Sequence, residues 1–224
     1  MKRSKEEALE TRESILDAAE DAFFENGVSA TSLSDIARRA GVTRGAIYWH
    51  FANKLDLFRA MHERARLPQE TVLLETSGSG CLIEHVHGCA LDALRFIAGN
   101  ERARRIYSIL LFRCEYVGEM EEALRRLRGA DAQMLARITE AFEDARSRGQ
   151  LAPGWTAESA ADAYVCSMHG LFSEWLRREA SFDLAALGAQ VMTSLFRSII
   201  SCQGEHAPGT DRTGLPAPRE TAPA

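Results

Sequence analysis

The sequence predicts an all-α protein, with a three-helix N-terminal head followed by a larger C-terminal helical domain. Three observations carry this. Apolar residues recur at helical spacing along most of the chain. Capping residues and glycines cut that pattern into separate helices. No stretch alternates apolar and polar side chains as a half-buried strand does.

The elements follow in order. Residues 1–10 read as a flexible arm made basic by Lys2, Arg3 and Lys5. A first helix is expected over residues 11–26, where Ile15, Ala19 and Phe23 form a stripe that Leu16 widens, and Gly27 stops it. Ser32 and Asp35 make a capping box for a second helix carrying Leu33, Ile36, Ala37 and Ala40. Gly41 ends that helix in the left-handed conformation that glycine takes without strain. Val42 plugs the turn and Thr43 caps a third helix, residues 44–50. Two short helices joined by a glycine-bearing turn make a helix-turn-helix, whose second helix enters the DNA major groove. Asn53 caps a fourth helix carrying Leu57, Phe58, Met61 and Ala65, expected to run past Arg66 until Pro68 interrupts it.

Residues 76–80 (TSGSG) are a loop on composition. Further helices are expected over residues 82–98, 102–114, 119–148, 156–177 and 183–200. The longest buries Leu124, Leu127, Met134, Ile138, Phe142 and Ala145, and Asp131 falls on the same stripe. Asp183 caps the last helix, with Phe182 and Leu187 placed as a hydrophobic staple. Residues 203–224 offer almost nothing to bury and read as a disordered tail. The expected division is therefore a head at 11–52, an effector-binding and dimerisation domain at 53–202, and the tail.

Composition bounds the function. A chain of 224 residues with 46% hydrophobic content can bury a sizeable core. No apolar run reaches the ~18 residues needed to span a bilayer. Residues 1–12 are charged and polar rather than a signal peptide, so a cytoplasmic protein is expected. Cys81, Cys89, Cys114, Cys166 and Cys202 show no CxxC spacing and read as reduced thiols rather than a redox sensor. Net charge is −5, yet residues 29–60 hold five cations against two anions. Non-specific attraction to DNA should be modest and confined to the head.

On the third helix, Ala46, Ile47 and Phe51 supply an inner face and leave Arg44, Gly45, Tyr48, Trp49 and His50 outside. Arg44 is long enough to reach guanine O6 and N7. Gly45 and Ala46 leave room for close backbone approach, and Tyr48 and His50 can donate to phosphate. Lys54 puts a cation in the first turn of the next helix, where an anion would bind. Thr31 and Ser32 can bond phosphate, cap, or both. The candidate DNA contacts are thus Thr31, Ser32, Leu33, Thr43, Arg44, Gly45, Ala46, Tyr48, Trp49, His50 and Lys54.

The segment GVTRGAIYWHFANK resembles the recognition segment of the TetR family of bacterial repressors, and the resemblance extends upstream through TRESILDAAEDAFFENGVSATSLSDIARRAG. It covers residues 11–66. RIYSILLFRCEYVGEM and the later RGQL resemble the AcrR-like branch, which controls multidrug efflux pumps, and this looser match covers most of residues 83–200. The family's long connecting helix is not expected to carry Pro68. The resemblance implies a homodimer on palindromic operator DNA, released by a small hydrophobic or cationic effector, with no cofactor and no metal. It implies a ligand site at Cys89, Ala93, Tyr107, Leu111, Asp131, Met134, Ile138, Val165, Met168 and His169, to which Phe96 is added. Several of these are as simply read as core. Tyr107 and Leu111 stand where close relatives carry polar residues, which implies a less polar effector. Asp131, if buried, needs a partner such as Arg113, Tyr107 or a cationic ligand. The last two helices carry too many large apolar residues for one face, which suggests a dimer interface including Phe172, Trp175, Leu187, Val191 and Leu195.

Two other readings stand beside this one. An enzyme would use His85 and His87 with Glu84 and Cys81 or Cys89, but His85 and Cys89 share a helix face that His87 leaves, so three metal ligands do not converge and no enzyme is expected. The other is a DNA-binding regulator of a metabolic or stress operon with no drug effector.

Overall fold

In the computed structural model, residues 5–64 and 82–201 are described. They form helices α1 (Lys5–Asn26), α2 (Leu33–Arg39), α3 (Arg44–His50), α4 (Lys54–Glu63), α5 (Leu82–Gly99), α6 (Glu101–Phe112), α7 (Glu121–Ser147), α8 (Ala157–Arg177) and α9 (Leu184–Ile199). A 3-10 turn at Gly118–Met120 leads into α7. Among the described residues the only β-type pairing is an isolated bridge between Leu151 and Ile200. No helix among them is long and apolar enough to cross a membrane.

The local signals set the helix ends. Ser32 and Asp35 form the capping box of α2, Thr43 accepts from the Ala46 amide, Asn53 from Asp56 and Asp183 from Ala186. Gly27 and Gly41 end α1 and α2 with φ of +84° and +66°. The expected arm is a correction: Lys5 onward is already helical, with Glu6 and Glu7 in the first turn, where carboxylates favour the helix dipole. Thr11 Oγ1 donates to Glu7 O at 2.8 Å within that extension. The described part of α4 ends at Glu63, and the expectations for Ala65, Pro68, residues 76–80 and the tail lie outside the described residues.

Two hydrophobic cores result. The first joins α1–α4 with Ile106, Ile109 and Leu110 of α6 and with Met120 and Ala123. The second joins α5 and the later part of α7 with α8 and α9, around Leu94, Phe142, Tyr164 and Met192. Tyr107 of α6 packs against both. Helix α7 begins on the first core and ends on the second.

Charged groups close the junction between α1 and α6. Glu20 is buried, with its carboxylate 3.2 Å from Arg105 Nε and 3.6 Å from Arg102 Nε. Arg105 also binds Asp21, and Asp17 meets Arg64 at 2.6 Å and Arg102 at 3.1 Å. Burial holds the Glu20 carboxyl above its ordinary value, outweighing the downward pull of Arg105 and Arg102. The Val28 amide donates to Arg113 O at 2.8 Å, pinning the α1–α2 turn to the end of α6.

Helices α5 and α9 approach closely at Gly188, where a Cβ would fall 2.8 Å from a methyl of the fully buried Leu94. Gly188→Val should therefore overpack the second core and cost roughly 1–3 kcal/mol of unfolding free energy in urea titration.

Candidate DNA interface and ligand groove

Helix α3 turns Ile47 and the following Phe51 fully inward, at 0% and 2% exposure. That orientation leaves Arg44, Gly45, Tyr48 and Trp49 exposed on the opposite side. Trp49 is 72% exposed and Tyr48 47%. The Arg44 guanidinium lies over the Tyr48 ring, 5.5 Å from its centre, and donates to Tyr48 Oη at 3.1 Å. Trp49 stands edge-on to His50, with ring centres 4.5 Å apart. Large aromatic surface held in water on a short, well-capped helix has a physical purpose when a partner covers it. An arginine propped on a ring stays extended and ready for a groove.

Other sequence candidates are placed differently. Thr31 is buried, and its hydroxyl donates to Gly27 O at 2.7 Å and Ala22 O at 3.2 Å, so it holds the α1–α2 turn instead of facing a phosphate. Lys54 Nζ donates to Val28 O at 3.1 Å and Thr31 O at 3.3 Å and pairs with Glu119 at 3.5 Å. Its side chain is only 16% exposed. The lysine expected on DNA is thus a tie between α4, the head's first turn and the entry to α7. Ser32 keeps its hydroxyl in the capping box, donating to Asp35 at 2.6 Å, while Leu33 packs partly against the first core. Thr43 and Ala46 form the capped start of α3.

The implied ligand residues divide. Cys89, Ala93 and Ile138 are buried, and Phe96, Met134, Val165 and Met168 pack partly buried against the second core. Tyr107 bridges the two cores. Leu111, Asp131 and His169 are exposed, which corrects the expectation that Asp131 lies on a buried stripe and takes Leu111 and His169 out of any enclosed site in the single chain. An exposed Asp131 needs no buried counter-charge and lends no support to a cationic effector. His85 Nε2 lies 3.5 Å from Cys89 Sγ, whereas His87 lies 3.4 Å from Tyr164 Oη and 3.3 Å from Thr193 Oγ1 and stacks on Phe196. The two histidines face different ways.

Sequence reasoning missed a groove of about 230 Å³ between α4 and α7, lined by Phe58, Arg59 and His62 on one side and Ala123, Arg126 and Leu127 on the other. Residues some 65 positions apart carry no local signal of this meeting. A broader groove of about 640 Å³ crosses the head between α1 and α2, but its Arg38 and Arg39 are already paired with Asp35 and Glu25.

The proposed dimer residues also separate. Leu187 and Val191 are 41% and 38% exposed, one turn apart on α9. Phe172 and Trp175 are a correction: both are buried in the chain's own second core, and Trp175 Nε1 donates to Phe182 O at 2.8 Å. Leu195 is partly buried against that core. The outward face of α8 carries Asp162, Cys166, His169, Gly170 and Arg177 instead.

A short helix behind a glycine turn, anchored by a shared core and presenting arginine and aromatic groups outward, defines a helix-turn-helix DNA-binding protein. Residues 15–61 match the bacterial regulatory proteins of the tetR family, and residues 83–199 match the C-terminal region of MAATS-type transcriptional repressors. The chain belongs to the tetR family. It is 40% identical over 205 residues to the HTH-type transcriptional repressor BepR of Brucella suis, covering 89% of this chain and 96% of that one. It is 40% identical over 191 residues to the HTH-type transcriptional regulator TtgR of Pseudomonas putida, covering 82% and 89%. The crystal structure of NalD, the secondary repressor of the MexAB-OprM multidrug efflux pump in Pseudomonas aeruginosa, aligns with a TM-score of 0.78 at 38% identity, covering 88% of this chain and 100% of that one. The complex of SmeT with triclosan aligns with a TM-score of 0.74 at 30% identity, covering 92% and 99%.

The Lys54 contacts predict a particular mutant. Lys54→Ala leaves two backbone carbonyls without their charged donor, and about 1.5–3 kcal/mol of folding stability should be lost in chemical denaturation. The slope of log affinity against log salt on DNA should stay unchanged, since no phosphate contact is removed. A slope smaller by about 1 would return Lys54 to the DNA interface.

Proposed function

We propose that this protein is a cytoplasmic homodimeric repressor of a multidrug efflux operon, and not an enzyme. Two copies of α3 enter successive major grooves of a palindromic operator, and a small hydrophobic compound releases them. Residues 11–52 bind DNA, and residues 53–202 bind the effector and dimerise. The observation that carries the reading is α3, with Arg44, Tyr48 and Trp49 turned outward from a rigid, capped turn. The efflux target is supported by NalD and by SmeT, which is described as the repressor of the Stenotrophomonas maltophilia multidrug efflux pump SmeDEF. A releasing compound is supported by the triclosan bound to SmeT.

Within α3, Arg44 reads a base, Gly45 and Ala46 allow close approach, and Tyr48, Trp49 and His50 contact phosphate and sugar. Ser32, Leu33 and Thr43 border the same surface. Arg44→Ala should weaken operator binding by about 1–3 kcal/mol and relax sequence preference at one position in each half-site. Footprinting and selection from a random DNA pool measure both, and unchanged affinity and preference would remove Arg44 as a base reader.

The dimer contact is best supported at Leu187 and Val191, whose apolar side chains stand in water in the single chain. Leu187→Glu introduces a charge that is exposed in the monomer, so the fold should survive. At the interface the charge would be buried without a partner. Analytical ultracentrifugation should show monomer, with operator affinity falling in parallel. A folded variant that stays dimeric would move the interface elsewhere.

A further inference from the structure

The groove between α4 and α7 joins the helix that leaves the DNA-reading segment to the helix that spans both cores. Its floor is apolar: Phe58 is 1% exposed, Ala123 is 4% exposed, and Leu127 packs partly against the first core. Its rim is cationic. Arg126 Nε donates to Glu122 at 2.8 Å, but the same carboxylate also binds Arg125 at 2.6 Å, so one anion serves two guanidiniums. Arg59 is half-buried, and among the described residues it makes no hydrogen bond or ion pair. Glu63, the acidic residue on the α4 side of the groove, is exposed. Of the residues that line the groove, Arg59 and Arg126 carry fixed positive charge and Glu63 carries the negative charge. An apolar floor with a small number of convergent polar groups is the form a small-molecule site takes. A planar guanidinium meets a carboxylate through two parallel hydrogen bonds.

We propose that this groove binds an apolar anion, an aromatic carboxylate in chemical class. Its ring lies on Phe58 and Leu127, and its charge is met by Arg59 and Arg126. The inference rests on the repressor reading above and names an effector class for it. It also gives the effector a mechanical route. Lys54 and Glu119 tie α4 to the entry of α7 at one end, and the groove opens one to two turns further along both helices. A ring seated there pushes α4 away from α7 about that tie. Only Phe51, Ala52 and Asn53 separate α4 from α3, so the displacement reaches the reading helix directly. A ligand shifts the protein off DNA only by binding the displaced state better, and a wedge meets that condition.

Three naphthalenes that share one ring system and carry a negative, a neutral and a positive 2-substituent test the site: 2-naphthoate, 2-naphthol and 2-naphthylmethylamine. Calorimetric titration should show naphthoate binding wild type at least about tenfold more tightly than the amine, the size expected of one charge-assisted contact. Arg59→Gln should abolish that preference. Arg128→Gln, which alters an exposed cation of α7 outside the groove, should keep it. Circular dichroism checks that each variant is folded. Failure of naphthoate to bind, equal binding of the amine, or an Arg59→Gln variant with its preference intact would overturn the site. A gel shift on the operator separates this from the repressor reading. Release by naphthol while naphthoate fails to bind sinks the site and keeps the repressor. Arg59-dependent naphthoate binding that never releases operator keeps the site and sinks its role as the effector site.

Discussion

The buried carboxylate of Glu20 is the constraint on which the arrangement of this protein turns. Taking a carboxylate out of water costs several kcal/mol, and that cost is reduced only when counter-charges are fixed in place. Arg102 and Arg105 of α6 supply them. Helix α1 therefore cannot leave α6 without exposing apolar surface and stranding a charge at once. Asp17 and Asp21 extend the same arginines to a second row of carboxylates, and Arg64 ties the end of α4 into the network. Exposed pairs of this kind contribute little singly. Around a buried member they fix which residues face which.

The consequence is that the DNA-reading head is not a free module on a hinge. Ile106, Ile109 and Leu110 of α6 lie in the same core as Ile15, Phe23, Ile36 and Ile47. A displacement of α4 or α6 must repack that core, and cores have discrete arrangements rather than continuous ones. This is what a switch between operator-bound and released states needs. Tyr107, touching both cores, and α7, crossing from one to the other, connect the C-terminal helices to the head.

What was legible in the sequence is what is local. Ser32 with Asp35, Thr43, Asn53 and Asp183 announced helix starts because a cap bonds within its own turn. The inward Ile47 and outward Trp49 followed from helical period alone. The losses were tertiary. Asp131 lies on the apolar stripe of α7 by spacing, but that stripe meets two different cores. Ala123 and Leu127 belong to the first and Ile138 and Phe142 to the second, and Asp131 falls at the crossing, in water. Lys54 has the position of a phosphate ligand in its own helix, yet two carbonyls of the preceding turn and Glu119 claim it first. Phe172 and Trp175 read as interface residues in the sequence because their helix is apolar on too many sides. They are core because α5, α7 and α9 all pack against that helix or beside it. Neither Glu20 nor Arg59 could be singled out before its neighbours across the fold were known.

The central claim is that the head and α6 form one cooperative unit, and native-state hydrogen exchange followed by mass spectrometry across a urea series tests it most directly. Peptides covering α1, α2 and α3 should share one opening free energy and one urea dependence with peptides covering α6. The account predicts that the two sets of exchange curves merge in the wild type and separate in Arg105→Met, where the buried carboxylate loses a partner. Head peptides that open independently of α6 in the wild type, with lower free energy and a shallower urea slope, would contradict it.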